Sequence, residues 1–131
     1  MKFRAWLRYT GATMLLAIDI GNTNVVWGLF EGSTLRGHWR LATESRRTDN
    51  EYGMLFLSLL RTAGLSPDQI TGSILSSVVP ALTATFESMV QTYFHHNPVI
   101  VGPDIDPGLT LRYATPKEMG SDRIVNAAAA Y

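Results

Sequence analysis

Apolar and polar positions change period several times along the chain, and each change marks an element. Leu15-Leu16-Ala17-Ile18-Asp19-Ile20 is apolar at every position but one, as expected of a strand buried on both faces. Gly21-Asn22-Thr23-Asn24 supplies turn residues, and Val25-Val26-Trp27-Gly28-Leu29-Phe30 is β-branched and aromatic, a second strand. Glu31-Gly32-Ser33 turns the chain again, and Thr34 to Thr43 alternates loosely enough for a third strand. Two successive tight turns predict an antiparallel meander.

The period then lengthens. Thr48-Asp49-Asn50-Glu51 fits a capping box, and Tyr52, Leu55, Phe56, Leu59 and Leu60 follow as one helical stripe with Gly64 as its stop. Ser73 to Val79 reads as a short strand, and Pro80 suits the first turn of a helix striped by Leu82, Phe86, Met89, Val90 and Tyr93. Pro98 to Val101 is a strand, Gly102 to Gly108 a loop, and Leu109 to Tyr113 a brief extended piece. Thr115-Pro116-Lys117-Glu118 opens a last helix that ends in Ala127 to Ala130. The predicted order is β-β-β-α-β-α-β plus a short strand and a C-terminal helix. That order predicts an α/β fold with a mixed sheet, the ribonuclease-H-like domain that forms half of actin-like kinases.

Composition narrows the chemistry. With 131 residues the chain suits one core, and with no cysteine it has no disulfide, thiolate or Cys-ligated metal site. Eleven basic residues balance eleven acidic ones, which offers no electrostatic pull on nucleic acid or an anionic membrane. The apolar run Met14 to Ile18 is too short to span a bilayer. Residues 1–13 read either as a leader ahead of an initiating Met14 or as an extra edge strand built on Trp6 and Leu7. Residues 14–131 read as one lobe.

Two constellations could carry chemistry. In Asp19-Ile20-Gly21-Asn22-Thr23-Asn24, an acid ends a buried strand and a Gly/Asn/Thr turn follows at once. Gly21 admits phosphate oxygens to backbone N–H groups, the Asn22, Thr23 and Asn24 side chains add donors, and Asp19 can hold Mg²⁺, often through water. An ordinary hairpin accounts for the same six residues. The second constellation is Tyr113, Pro116, Glu118, Gly120, Asp122 and Arg123, where Asp122 can act as a general base and Arg123 as an anion clamp. Taken alone, these residues read better as a helix start with a surface ion pair. His95-His96 reads as a cation pair at a helix C-terminus, and Arg46 and Arg47 as a solvated loop. Asp104 and Asp106 read as turn residues, and Trp27, Trp39 and Phe56 as core or interface.

Together these segments resemble a known family. Met14-Leu-Leu-Ala-Ile-Asp-Ile-Gly-Asn-Thr-Asn24, Ser76-Ser-Val-Val-Pro80 and Tyr113…Pro116…Gly120-Ser121-Asp122-Arg123…Asn126-Ala-Ala-Ala-Ala-Tyr131 resemble, in order, the type III pantothenate kinases. The resemblance implies ATP-dependent phosphorylation of pantothenate to 4′-phosphopantothenate, the first step of coenzyme A synthesis. It also implies an actin-like two-lobed fold, a cytoplasmic homodimer, Mg²⁺, and a monovalent cation, K⁺ or NH₄⁺. Carried over by position, Asp19, Ile20, Gly21, Asn22, Thr23, Asn24, Val25 and Val26 would bind the ATP phosphates. Tyr113, Gly120, Ser121, Asp122 and Arg123 would contact pantothenate, with Asp122 as the base. The family is about twice this long, so the second phosphate loop and the monovalent-cation ligands are expected outside these 131 residues. One lobe alone is then expected to turn over little substrate.

Two other readings compete. A non-catalytic nucleotide- or partner-binding module would keep the fold without chemistry. A ribonuclease-H-like nuclease would need acids on the first strand, the first helix and the fourth strand to clamp two metals. Asp19 and Glu51 supply two, but Ser73-Ile-Leu-Ser-Ser-Val-Val79 has none, and the nuclease reading fails there.

Overall fold

In the computed structural model, residues 14–101 are described. Five strands and two helices follow one another as β1 (Met14–Ile20), β2 (Asn24–Glu31), β3 (Thr34–Ala42), α1 (Asp49–Thr62), β4 (Ile70–Ser77), α2 (Pro80–Phe94) and β5 (Val99–Val101), with a 3₁₀ turn at Pro67–Gln69. The sheet order is β3-β2-β1-β4-β5. β1 to β3 form the expected antiparallel meander, whereas β4 and β5 run parallel to β1. The short strand and helix expected after Gly102, and the leader 1–13, lie outside the described residues.

β1 is central, and every one of its residues is buried. Its side chains alternate between two faces. Leu16, Ile18 and Ile20 join Val25, Trp27 and Leu29 of β2 and Tyr52, Phe56, Leu60, Leu82, Phe86, Met89 and Val90 of the helices in one core. Leu15, Ala17, Val26 and Phe30 are equally inaccessible but form no part of that cluster, because they occupy the other face. This double burial explains why β1 shows no polar alternation. Trp27 stacks between Trp39 and Phe56 at centroid distances of 4.4 and 4.2 Å, so the aromatics read as core in the sequence are core.

α1 begins as its sequence dictates. The Glu51 amide donates to the Thr48 hydroxyl, and the Glu51 carboxylate accepts from the Thr48 amide, which completes the capping box. The Thr48 backbone amide first, and the Thr48 side chain second, hold the Glu51 carboxyl below its ordinary range. In α2 the buried stripe ends on Phe94, and Tyr93 is half-buried. Tyr93 lies flat against α1 where Gly53 leaves no Cβ in the way, and its hydroxyl donates to Asn50 Oδ1 at 2.8 Å. A side chain at residue 53 would collide with that ring.

β4 departs from expectation. It runs Ile70–Ser77 instead of Ser73–Val79. The Pro67–Gln69 turn delivers Ile70 directly into the sheet beside Met14, which starts the strand early. At the other end the Ser77 hydroxyl donates to the Val79 carbonyl and accepts from the Val79 amide, at 2.9 and 3.0 Å. That clasp bends the chain off the sheet, makes Val79 the N-cap of α2 and places Pro80 at its first turn.

The two histidines after α2 have different surroundings. His95 takes the left-handed conformation that ends the helix, with φ of 62°. His96 folds back beneath it. Its Nδ1 lies 2.9 Å from the Phe94 carbonyl, which requires the proton there, and Nε2 accepts from the buried Ser73 hydroxyl at 2.7 Å. Burial pushes the His96 imidazole below the ordinary 6.5; the Phe94 carbonyl opposes that shift and the charge of His95 adds to it. The unfolded chain therefore binds this proton at a higher pH than the folded one. Stability should be held above about pH 6.5 and fall as the pH drops through the window beneath it. Denaturant titrations between pH 7.5 and 5 should show that decline, and His96→Gln should flatten it. An equal decline in the variant would assign the effect elsewhere.

Candidate active site

The parallel strands β1, β4 and β5 end on one edge of the sheet, where α/β proteins place their ligands. Asp19 sits at the penultimate position of β1, in register with Ser76 of β4, and the two are 4 % and 2 % exposed. It is the one buried carboxylate among the described residues. Burying a carboxylate is costly unless it is engaged, and Asp19 has an interaction partner of its own. Ile20 follows, fully buried, and its carbonyl accepts from the Val78 amide at 3.0 Å. The ends of β1 and β4 are thereby sealed together directly below the turn.

The turn itself is short and stiff. The Gly21 amide donates to the Asn24 carbonyl at 2.9 Å, and a Cβ on Gly21 would approach that oxygen to 3.1 Å. Glycine fits that close approach without displacing the Asn24 carbonyl. Asn22 and Thr23 are exposed and Asn24 half-buried, and their side chains make no hydrogen bond among the described residues. Three polar side chains are thus free to serve a ligand. Val25 and Val26 are fully buried, so their contribution is backbone and packing. The turn is also tied to β3. The Thr43 hydroxyl donates to the Gly21 carbonyl at 2.8 Å, and the Thr43 amide donates to the Thr23 carbonyl at 2.9 Å. Sequence reasoning missed Thr43. The signal was its position one residue beyond β3, which the hairpin register brings opposite the turn.

The neighbouring loop is fixed by Tyr52. Its hydroxyl donates to the Glu44 carbonyl at 2.9 Å and accepts from the Glu44 amide at 3.0 Å, and the Arg47 guanidinium lies 5.4 Å from the Tyr52 ring centre. Arg47 is therefore partly docked, while Arg46 is exposed as expected. Tyr113, Gly120, Ser121, Asp122 and Arg123, together with Asp104 and Asp106, lie outside the described residues.

Among the described residues no three His, Cys, Asp or Glu side chains converge on a metal position. A single carboxylate beside a turn with three uncommitted polar side chains suits Mg²⁺, which keeps most of its waters and takes one or two carboxylates plus phosphate oxygens. It does not suit a dedicated cage. The nuclease reading stays excluded, since β4 carries no acid at its observed bounds and Glu51 is committed to its capping box. No described helix is long and apolar enough to cross a membrane.

The fold has relatives among solved structures. A ROK hexokinase from Thermus thermophilus superposes with a TM-score of 0.52 at 12% identity, over 67% of this chain and 34% of that one. YeaZ from Pseudomonas aeruginosa gives 0.52 at 12% identity, over 81% of this chain and 50% of that one. At such identities the likeness speaks for the fold alone, and it agrees with the actin-like, ribonuclease-H-like α/β class expected from element order. Sequence comparison is more specific. Curated type III pantothenate kinases from Brevibacillus brevis and Myxococcus xanthus are 52% and 48% identical to it, over 89% and 90% of this chain. The chain spans about half the length of these relatives, 46% in each case. The profile of the family described as type III pantothenate kinase matches residues 15–131, a stretch that takes in both the Gly21 turn and Gly120 to Arg123. A buried acid at a strand end, a tight glycine turn directly after it and a match along nearly the whole chain lead to one assignment: the chain belongs to the type III pantothenate kinase family.

Proposed function

We propose that residues 14–131 are the amino-terminal lobe of an ATP-dependent pantothenate kinase, which makes 4′-phosphopantothenate at the entry to coenzyme A synthesis. The observation that carries this reading is the Gly21 turn. It stands at the end of the only buried acid-bearing strand among the described residues, with the side chains of Asn22, Thr23 and Asn24 uncommitted.

In this reading Asp19 to Val26 receive the ATP phosphates, with backbone and side-chain donors facing the oxygens and Asp19 holding Mg²⁺ directly or through water. When bound, that ion neutralises phosphate charge. Tyr113, Gly120 and Ser121 position pantothenate, and Arg123 pairs with its carboxylate. Asp122 accepts the proton of the terminal hydroxyl as the hydroxyl oxygen bonds to the γ-phosphorus, and the bond from that phosphorus to the ADP oxygen breaks. The second lobe, the monovalent cation K⁺ or NH₄⁺, the homodimer and a cytoplasmic location complete the proposal. Phosphoryl transfer asks a protein mainly to position groups and neutralise charge, so a lobe that presents a rigid donor turn supplies half of the apparatus.

The test is an assay of the two-lobed protein with pantothenate and ATP. Formation of 4′-phosphopantothenate with stoichiometric ADP is expected. Nucleotide binding that neither depends on pantothenate nor leads to turnover would replace the kinase with a non-catalytic module.

A further inference from the structure

We propose that Thr43 is a positioning residue that sets the donor face of the phosphate turn; the proposal rests on the kinase reading and assigns that turn a second-strand-to-third-strand brace. Thr43 grips the turn at two points, the Gly21 carbonyl 22 residues away in sequence through its hydroxyl and the Thr23 carbonyl through its amide. The described peptides are all trans, and across a trans peptide the carbonyl oxygen and the following N–H point in opposite directions. Holding the Gly21 oxygen against Thr43 therefore points the Asn22 N–H away from Thr43, at the opposite edge of that peptide. It also keeps a carbonyl lone pair, which would repel an anion, off the side that meets phosphate.

The local sequence cannot do this by itself. Gly21 has no side chain to restrict rotation of the peptide that follows it, and Asn22 and Thr23 are exposed. Without the hydroxyl, that peptide can flip and present oxygen where the ligand needs N–H. The Thr43 amide would still hold Thr23, so β2 and β3 stay paired and the fold survives. Thr43 never touches the nucleotide in this scheme. It acts through Gly21.

The experiment is a titration of the ¹⁵N-labelled 131-residue chain with Mg²⁺-ATP, comparing wild type, Thr43→Val and Thr43→Ser. Wild type should show saturable shifts at the amides of Asn22 to Asn24. Thr43→Val should bind about three- to tenfold more weakly, the scale of one lost hydrogen bond. Its amide shifts in α1 and α2 should be unchanged, and Thr43→Ser, which keeps the hydroxyl, should bind like wild type. If Thr43→Val does not fold, Thr43→Ala is read in its place. Wild-type affinity in a folded variant without the hydroxyl would overturn the role of Thr43 and leave the kinase reading standing. Equal loss in Thr43→Ser would also overturn it, by assigning the effect to methyl packing. A wild-type chain whose turn amides do not respond to Mg²⁺-ATP would sink the phosphate turn itself and the role of Thr43 with it.

Discussion

Asp122→Asn in the two-lobed protein is expected to lower kcat by about 10²- to 10⁴-fold, the usual range for a positioned general base, while KM for ATP and pantothenate changes little. Asparagine keeps the shape and hydrogen-bonding reach of aspartate but has no basic oxygen for the hydroxyl proton. The loss should fall on the chemical step, because the interaction it removes is made as the proton leaves. Asp19→Asn provides the contrast. Asp19 is buried beside the turn, and the role proposed for it is to hold the Mg²⁺ that accompanies ATP. Its replacement should raise KM for Mg²⁺-ATP, with pantothenate affinity untouched. Steady-state kinetics of the two variants would separate base from phosphate holder. Unimpaired turnover in Asp122→Asn would remove residue 122 from the chemistry, whatever the fate of Asp19.

How far the sequence alone could be read depended on where each element takes its instructions. β1 was legible because burial on both faces forces an unbroken apolar run, and α1 because Thr48 and Glu51 write its first turn chemically. The meander followed from two glycine-containing turns within reach of each other. β4 was misplaced because the Pro67–Gln69 turn, outside the Ser73–Val79 window, delivers Ile70 to the sheet, and because the Ser77 hydroxyl captures Val79 and ends the strand. Hydrophobic periodicity registers neither cause. His96 was misjudged for the same reason. Burial lowers its pKa, and its ring bonds to Ser73, 23 residues away. At the site, Asp19 and Gly21 were visible as an acid at a strand end before a turn. Thr43 was not, since only the pairing of β2 with β3 brings it to Gly21. What can be read locally is chemistry written within one turn of chain; braces between strands need the register.

The largest effect on stability should come from Trp27→Ala, a loss of about 3–5 kcal/mol. Trp27 is fully buried at the centre of the helix-side core and stacks on Trp39 to one side and Phe56 to the other. Its removal would empty the space between β3 and α1 and break both stacks at once. Stability for a domain of this size is about 5–15 kcal/mol, so the variant should unfold at much lower denaturant or fail to accumulate. Trp27→Phe separates two contributions. The Trp27 indole N–H has no acceptor among the described residues, and a buried donor left unpaired costs about 1–3 kcal/mol. Phenylalanine deletes that donor, keeps a ring between Trp39 and Phe56, and sacrifices only part of the packing. Equilibrium unfolding should therefore show Trp27→Phe far closer to wild type than to Trp27→Ala. Equal losses in the two variants would mean that the indole N–H is satisfied in solution. The midpoint ordering also bears on function, because Trp27 stands two positions beyond Val25 on β2, the strand that carries the turn out to its donors. A Trp27→Phe chain that stays folded should bind Mg²⁺-ATP at the Gly21 turn as the wild type does, which would locate the site's demands in the turn and its Thr43 brace instead of in the core beneath them.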